Sequence, residues 1–155
     1  MAVISGVGTV YIWKDYPKPK DDTKPKKRWV IYLGLELDGT NFIALITTTT
    51  NPTYPNSLLL SSDDTPFDKN CYINFDDKPQ PVDNKVIDNC KDKIFLKGIL
   101  GNKYLIEIYE HIYKSNQYTQ IQVTQLYKNL ISIGIKGVSD PIKRQRRFGQ
   151  IVIDK

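Results

Sequence analysis

One histidine, one methionine and two cysteines among 155 residues leave little material for several common chemistries. A single histidine cannot run a two-histidine acid–base reaction or build a histidine-rich metal centre. His111, set among Glu110, Ile112 and Tyr113, reads as a partly exposed sheet residue with no second ligand at a metal-specifying spacing. Cys71 and Cys90 fit neither a close metal-ligand pair nor a disulfide framework, and read as ordinary thiols. No glycine loop follows a strand to cradle a nucleotide triphosphate, because Gly6 and Gly8 precede the first strand. The chain also lacks a signal-peptide pattern and any apolar run of membrane-spanning length, so the expectation is a soluble cytoplasmic protein without metal or cofactor.

What the chain does have is positive charge in two places. It carries 22 Lys and Arg against 17 Asp and Glu, a net +5. Lys24, Lys26, Lys27 and Arg28 form one cluster, and Lys143, Arg144, Arg146 and Arg147 another. Such clusters suit a polyanion or an acidic protein, although a solvated face is the commoner use of either one alone. With 40% hydrophobic residues the chain has material for one core, so residues 1–155 are expected to form a single domain.

The punctuation of the chain is mostly that of β structure. Val7 to Trp13 alternates in the manner of a strand, and Lys14 to Lys27, with Pro17, Pro19 and Pro25, reads as a long charged loop. Trp29 to Leu37 and Asn41 to Thr48 flank Asp38-Gly39, a strong hairpin signal. A proline-rich stretch follows, with SLLL and CYINF as short strand candidates, and Val86-Ile87 and Ile94 to Leu96 look like further short strands. Lys103 to Tyr113 fits a strand or a helix, with a strand favoured at its beginning. Val123, Leu126, Tyr127, Leu130 and Ile131 share one helical face, which predicts a helix over Thr119 to Ile131 stopped near Gly134, and Phe148 to Ile153 reads as a last strand. The sum predicts a mainly β class, a bent antiparallel sheet closed as a small barrel with a C-terminal α-helix.

Several residues invite a chemical reading and have a plainer one. The acid pairs Asp21-Asp22, Asp63-Asp64 and Asp76-Asp77 lie in turn-rich text and read as solvated loops. Tyr104, Tyr109 and Tyr113 interleave with Lys103 and Lys114 as base-stacking residues do, but also as half-buried strand residues do. The Asp38-Gly39 hairpin brings Arg28 and the run from Thr47 to Thr50 to one end of the sheet. Arginine offers a fixed fork of donors for phosphate oxygens, and a threonine hydroxyl can donate to charge that develops as a ribose 2′-OH attacks, chemistry that requires no metal. The plain alternative is an Arg28 that snorkels beside the sheet and threonines that fill its edge.

In order and spacing the chain resembles the MazF/PemK (CcdB-like) family of toxins from toxin–antitoxin systems, small SH3-like barrels that act as endoribonucleases. GTVYIW is similar to the family's Gly-Asp-(Ile/Val)-Trp strand, KKRWVIYLG to its Arg-Pro-Val-(Val/Ile)-Val-(Ile/Leu) strand, and FIALITTTTN to its Val-Ala-Pro-(Ile/Cys)-Thr strand. VIDNCKDKIFLKG resembles the segment with a basic residue before an apolar strand, and Thr119 to Ile131 the family's C-terminal helix. The likeness covers about residues 6–131, leaving 132–155 as an extension; Thr9 stands where the family has Asp, and Trp29 where it has Pro.

The resemblance implies Arg28 and Thr47 as catalytic residues, and Lys93 where some members carry a functional arginine. Lys24, Lys26, Lys27 and Thr48 would join Lys93 in contacting RNA. It further implies metal-independent cleavage of single-stranded RNA through 2′-OH attack, a homodimer, and an antitoxin whose acidic segment blocks the same groove. The alternatives are a noncatalytic barrel that binds nucleic acid or a protein through the basic loop, and a barrel that acts on a protein such as a topoisomerase.

Overall fold

The computed structural model describes residues 6–17, 26–46, 56–76 and 81–144. Strands β1 (Thr9–Tyr16), β2 (Lys26–Leu35), β3 (Asn41–Leu45) and β6 (Ile94–Ile99) form one antiparallel sheet in the order β3-β2-β1-β6, and β4 (Ser57–Leu60) pairs antiparallel with β5 (Cys71–Asn74). Among the described residues three α-helices accompany them: α1 (Asn84–Asn89), α2 (Asn102–Lys114) and α3 (Gln120–Ser132).

The expected antiparallel β structure is present but shares the fold with helices, so the content is mixed α/β, and among the described residues the sheet is open rather than closed as a barrel. Alternation along the strands gives the sheet two apolar faces, and each has its own cover. Val10, Ile31, Leu33, Phe42, Ala44 and Ile46 pack into a core with α2, α3 and the β4–β5 ribbon. Tyr11, Trp13, Tyr16, Val30, Tyr32, Ile43 and Ile94 form a second core with Val82 and Ile87 of the α1 region. No described helix is long and apolar enough to cross a membrane.

Two segments expected as strands are helices. Val86-Ile87 lies inside α1, where Ile87 is the residue that reaches the second core. Lys103 to Tyr113 is helical throughout, because Tyr104, Leu105, Ile108, Tyr109 and Ile112 fall on one side of α2 and bury there. The charged loop expected from Lys14 is shorter at both ends: β1 runs on to Tyr16 and β2 begins at Lys26. The last expected strand, Phe148 to Ile153, lies outside the described residues.

The expected hairpin and C-terminal helix are present and locally explained. In the hairpin, the Thr40 N–H and hydroxyl both donate to Asp38 Oδ1, at 3.0 and 2.7 Å, and Gly39 takes a φ of +89°. Helix α3 opens with a capping box, in which Thr119 Oγ1 accepts from the Gln122 N–H while Gln122 Oε1 accepts from the Thr119 N–H. It closes on Gly134 at φ +91°, with the Gly134 N–H on the Ile131 carbonyl and the Ile135 N–H on the Leu130 carbonyl.

Helix α3 is anchored on an irregularity of β2. The β2–β3 register shifts between Tyr32 and Leu35, where Gly34 adopts φ +98°. The carbonyls of Leu33 and Leu35 both accept from Asn129 Nδ2 at 3.0 Å, and a Cβ on Gly34 would run into that amide. On the opposite side, Asn41 is buried but satisfied: its side chain donates to the Val82 carbonyl and to Asn84 Oδ1, tying the α1 region to β3.

Candidate nucleic-acid interface

Arg28 is the third residue of β2 and pairs in register with Trp13 of β1, which pairs on its other side with Ile94 of β6. Alternation sends Arg28 to the same face as Val30 and Tyr32, and its charge acts on Tyr16 there. Burial pushes the Tyr16 phenol up to about 12, against the smaller downward pull of the Arg28 guanidinium. Tyr16 is thus a neutral donor at physiological pH. Arg28 itself is half-buried, and among the described residues no acceptor claims its guanidinium.

The end of β3 comes alongside. Val30 pairs with Leu45, and the Ile46 N–H donates to the Trp29 carbonyl at 3.1 Å. Thr47 and Thr48 follow Ile46 directly in sequence and lie outside the described residues, as does Lys24. The backbone of Lys26 pairs with Tyr16 at the start of β2.

Lys27 and Arg28 do not share a face. Lys27 alternates with Arg28 to the side of Trp29, where it is exposed. The compact cluster read from the sequence is thus divided by the strand that carries it. Lys93 sits in a 3₁₀ turn (Lys91–Lys93) immediately before β6, at the same end of the sheet as Arg28 but with β1 between them. Its Nζ pairs with Asp15 Oδ2 at 2.9 Å, and this hydrogen bond raises its pKa. Asp15 occupies a left-handed φ of +54° where β1 and β2 shift register. Both side chains are exposed, so the pair orients more than it stabilises.

Three residues of this region were not singled out in the sequence. Trp13 is fully buried under the sheet end, edge-on to Tyr16 at 5.1 Å between ring centroids, and among the described residues its Nε1 has no hydrogen-bond partner. Lys14, expected in a loop, is a strand residue whose ammonium lies over the Phe95 ring, 5.1 Å from its centroid. The alternation in YIWKDY carried the signal for Trp13 and Lys14, masked by the charges that follow Trp13, whereas Phe95 lies in the separate stretch IFLKGI and reaches them only through the β1–β6 register.

Other candidates are structural. His111 stacks on Phe75, with ring centroids 5.0 Å apart, and its Nδ1 bonds Asn56 Oδ1 at 2.5 Å, far along the chain from Arg28. Burial lowers its pKa, helped by Lys114 and opposed by Glu107. The hydroxyls of Tyr104, Tyr109 and Tyr113 donate to Asp64 Oδ1, the Ser139 carbonyl and the Asp140 carbonyl, so these tyrosines fasten loops to α2. Cys71 and Cys90 are free thiols, and burial pushes that of Cys71 up to about 12, leaving it unreactive at neutral pH. Among the described residues no three His, Cys, Asp or Glu side chains gather as a metal site.

The second basic cluster is already partly spent. Arg144 donates from Nε to the Tyr113 carbonyl at 2.8 Å, and from Nη2 to the Ser115 and Tyr118 carbonyls at 2.6 and 2.8 Å. It collects carbonyls left over where α2 ends and the chain turns into α3. Lys143 is exposed, while Arg146 and Arg147 lie outside the described residues. No family model matches this chain, and no curated protein matches it.

Proposed function

We propose that this protein is a MazF/PemK-like endoribonuclease toxin that cleaves single-stranded RNA, with Arg28 holding the scissile phosphate. The observation that carries the reading is the state of Arg28: half-buried on β2, unclaimed by any described acceptor, and beside the strand whose end leads into Thr47. A planar guanidinium held in this way meets two phosphate oxygens at once and stays charged throughout the physiological range.

In the proposed reaction the ribose 2′-oxygen bonds to the adjacent phosphorus, the bond to the 5′-oxygen breaks, and a cyclic phosphate and a 5′-hydroxyl are left. Negative charge builds on the nonbridging oxygens, where Arg28 and the Thr47 hydroxyl would donate. Lys93 and the lysines before Arg28 would raise the local concentration of RNA. The cognate antitoxin and the homodimer belong to the same proposal.

The test is incubation of the purified protein with a mixture of structured and unstructured RNA in EDTA, with cut ends mapped beside an Arg28→Ala control. Cuts at a recurring short sequence, absent with the variant, support the reading. Intact RNA from both proteins moves the function to a noncatalytic binding module. That second reading has its own support in the placement of Lys14 over the exposed Phe95 ring.

A further inference from the structure

The face of the sheet opposite Arg28 carries a second arrangement suited to a polyanion. Trp29 of β2, Ile12 of β1 and Phe95 of β6 are register partners and form one row across three strands. Trp29 and Ile12 are half-buried, and Phe95 is 44% exposed on the edge strand. One side of the row is closed: Phe67 packs on Trp29 with ring centroids 5.2 Å apart, and Pro66 fills the space beside Gly98 that a Cβ would need.

The other side is cationic. Two residues along from Trp29 and from Ile12, on the same face and toward the same sheet end, stand Lys27 and Lys14, both exposed. Lys93 continues this line next to β6, and the nearby Asp15 is engaged with it. An apolar row and a line of ammonium groups therefore run side by side across strands roughly 4.8 Å apart.

We propose that this face binds single-stranded nucleic acid, with a base stacked on Phe95 and the phosphates along Lys27 and Lys14. The occupant follows from the two features together. An acidic peptide would match the lysines but has no need of an exposed aromatic ring, whereas an unpaired base uses both. The Phe95 ring already holds the Lys14 ammonium over its face, and a base arriving there frees that ammonium for a neighbouring phosphate. The inference goes beyond the nuclease reading and requires no cleavage.

The experiment is fluorescence anisotropy with a labelled single-stranded 2′-O-methyl RNA 12-mer, which has no 2′-hydroxyl to attack and so reports binding alone. Saturable binding is expected from the unaltered protein, with Phe95→Leu weakening it about tenfold and Phe95→Tyr restoring it. Lys14→Gln and Lys27→Gln are each expected to weaken binding several-fold and to flatten its salt dependence by nearly one phosphate contact. A duplex of the same sequence, whose bases are already stacked, is expected to bind at least about tenfold more weakly. Thermal melts of each variant show that the exposed substitutions leave the fold intact. Absence of saturable binding by the unaltered protein, Phe95→Leu binding as tightly as the unaltered protein, or equal affinity for duplex would each overturn the proposal. Intact RNA in the nuclease assay together with Phe95-dependent binding would remove the nuclease reading and keep this one. Cut RNA with Phe95-indifferent binding would do the reverse.

Discussion

Arg28 and Arg144 sit in basic clusters that look alike in sequence and do opposite things in the fold. Arg144 has its donors on the carbonyls of Tyr113, Ser115 and Tyr118, whereas no described acceptor claims those of Arg28. A guanidinium between a helix end and the next helix meets leftover carbonyls and is consumed by them. On a strand the neighbouring carbonyls are already paired in the ladder, so the guanidinium is left over. Local charge density says nothing about which outcome holds; the supply of unpaired backbone acceptors decides.

The largest expected effect is on activity. Arg28→Ala should lower RNA cleavage by at least about 100-fold while the melting temperature stays within a degree or two, read by end-mapping and a thermal melt on the same preparation. A large fall in melting temperature would break the comparison by making Arg28 structural as well.

Arg144→Ala should do the converse. It leaves three carbonyls with one donor fewer each, a cost of about 2–3 kcal/mol, which for a chain of this size lowers the melting temperature by about 5–10 °C. Arg144→Lys should recover only part of that, since an ammonium lacks the planar fork that reaches several acceptors. A melting temperature indifferent to Arg144→Ala would mean that solvent satisfies these carbonyls.

Asn129→Ala sharpens the cause. Asn129 serves the Leu33 and Leu35 carbonyls as Arg144 serves its three, but without charge. A loss of about 1–2 kcal/mol in denaturant unfolding is expected, smaller than for Arg144→Ala. Equal losses would show that carbonyl satisfaction, not the charge of the donor, sets the scale.

The smallest effect is in pH. Arginine as a residue type stays charged at these pH values, so pH leaves that contrast untouched; the groups it does reach include Glu36, whose carboxyl burial pushes up, and His111. Its pKa is lowered by folding, so the unfolded chain binds its proton more readily. Stability should therefore fall as pH drops through the unfolded value of about 6.5 and level off below the folded one. His111→Gln should flatten that step in melts taken between about pH 5 and 7.5.

Elements whose signal is local were legible in the sequence. Asp38-Gly39 made its hairpin through the Asp38 carboxylate, and Thr119, Gln122 and Gly134 bounded α3 by the bonds that those residue types make. Helix α2 was harder: tyrosines and isoleucines favour strands in isolation, and only a core on one side rewards the spacing of Tyr104, Leu105, Ile108, Tyr109 and Ile112. The open sheet has the same origin. Helices α2 and α3 with β4–β5 cover one face and α1 the other, so the apolar faces find cover without the sheet closing on itself. Of the candidate site, the sequence indicated Arg28 but not Trp13, Lys14 or Phe95, which become neighbours only through the β1–β2 and β1–β6 registers.

By itself the sequence determined the alternating strands, the hairpin, the capped α3 and the positions of positive charge, because each depends on residues within a few places of one another. Tertiary structure decided which charges remain available. It set Lys27 and Arg28 on opposite faces of one strand, spent Arg144 on the end of α2, and placed Lys14 above a ring eighty-one positions away in the chain. Whether a side chain is used up depends on acceptors and rings brought to it from distant segments, and their arrival is a property of packing rather than of local sequence.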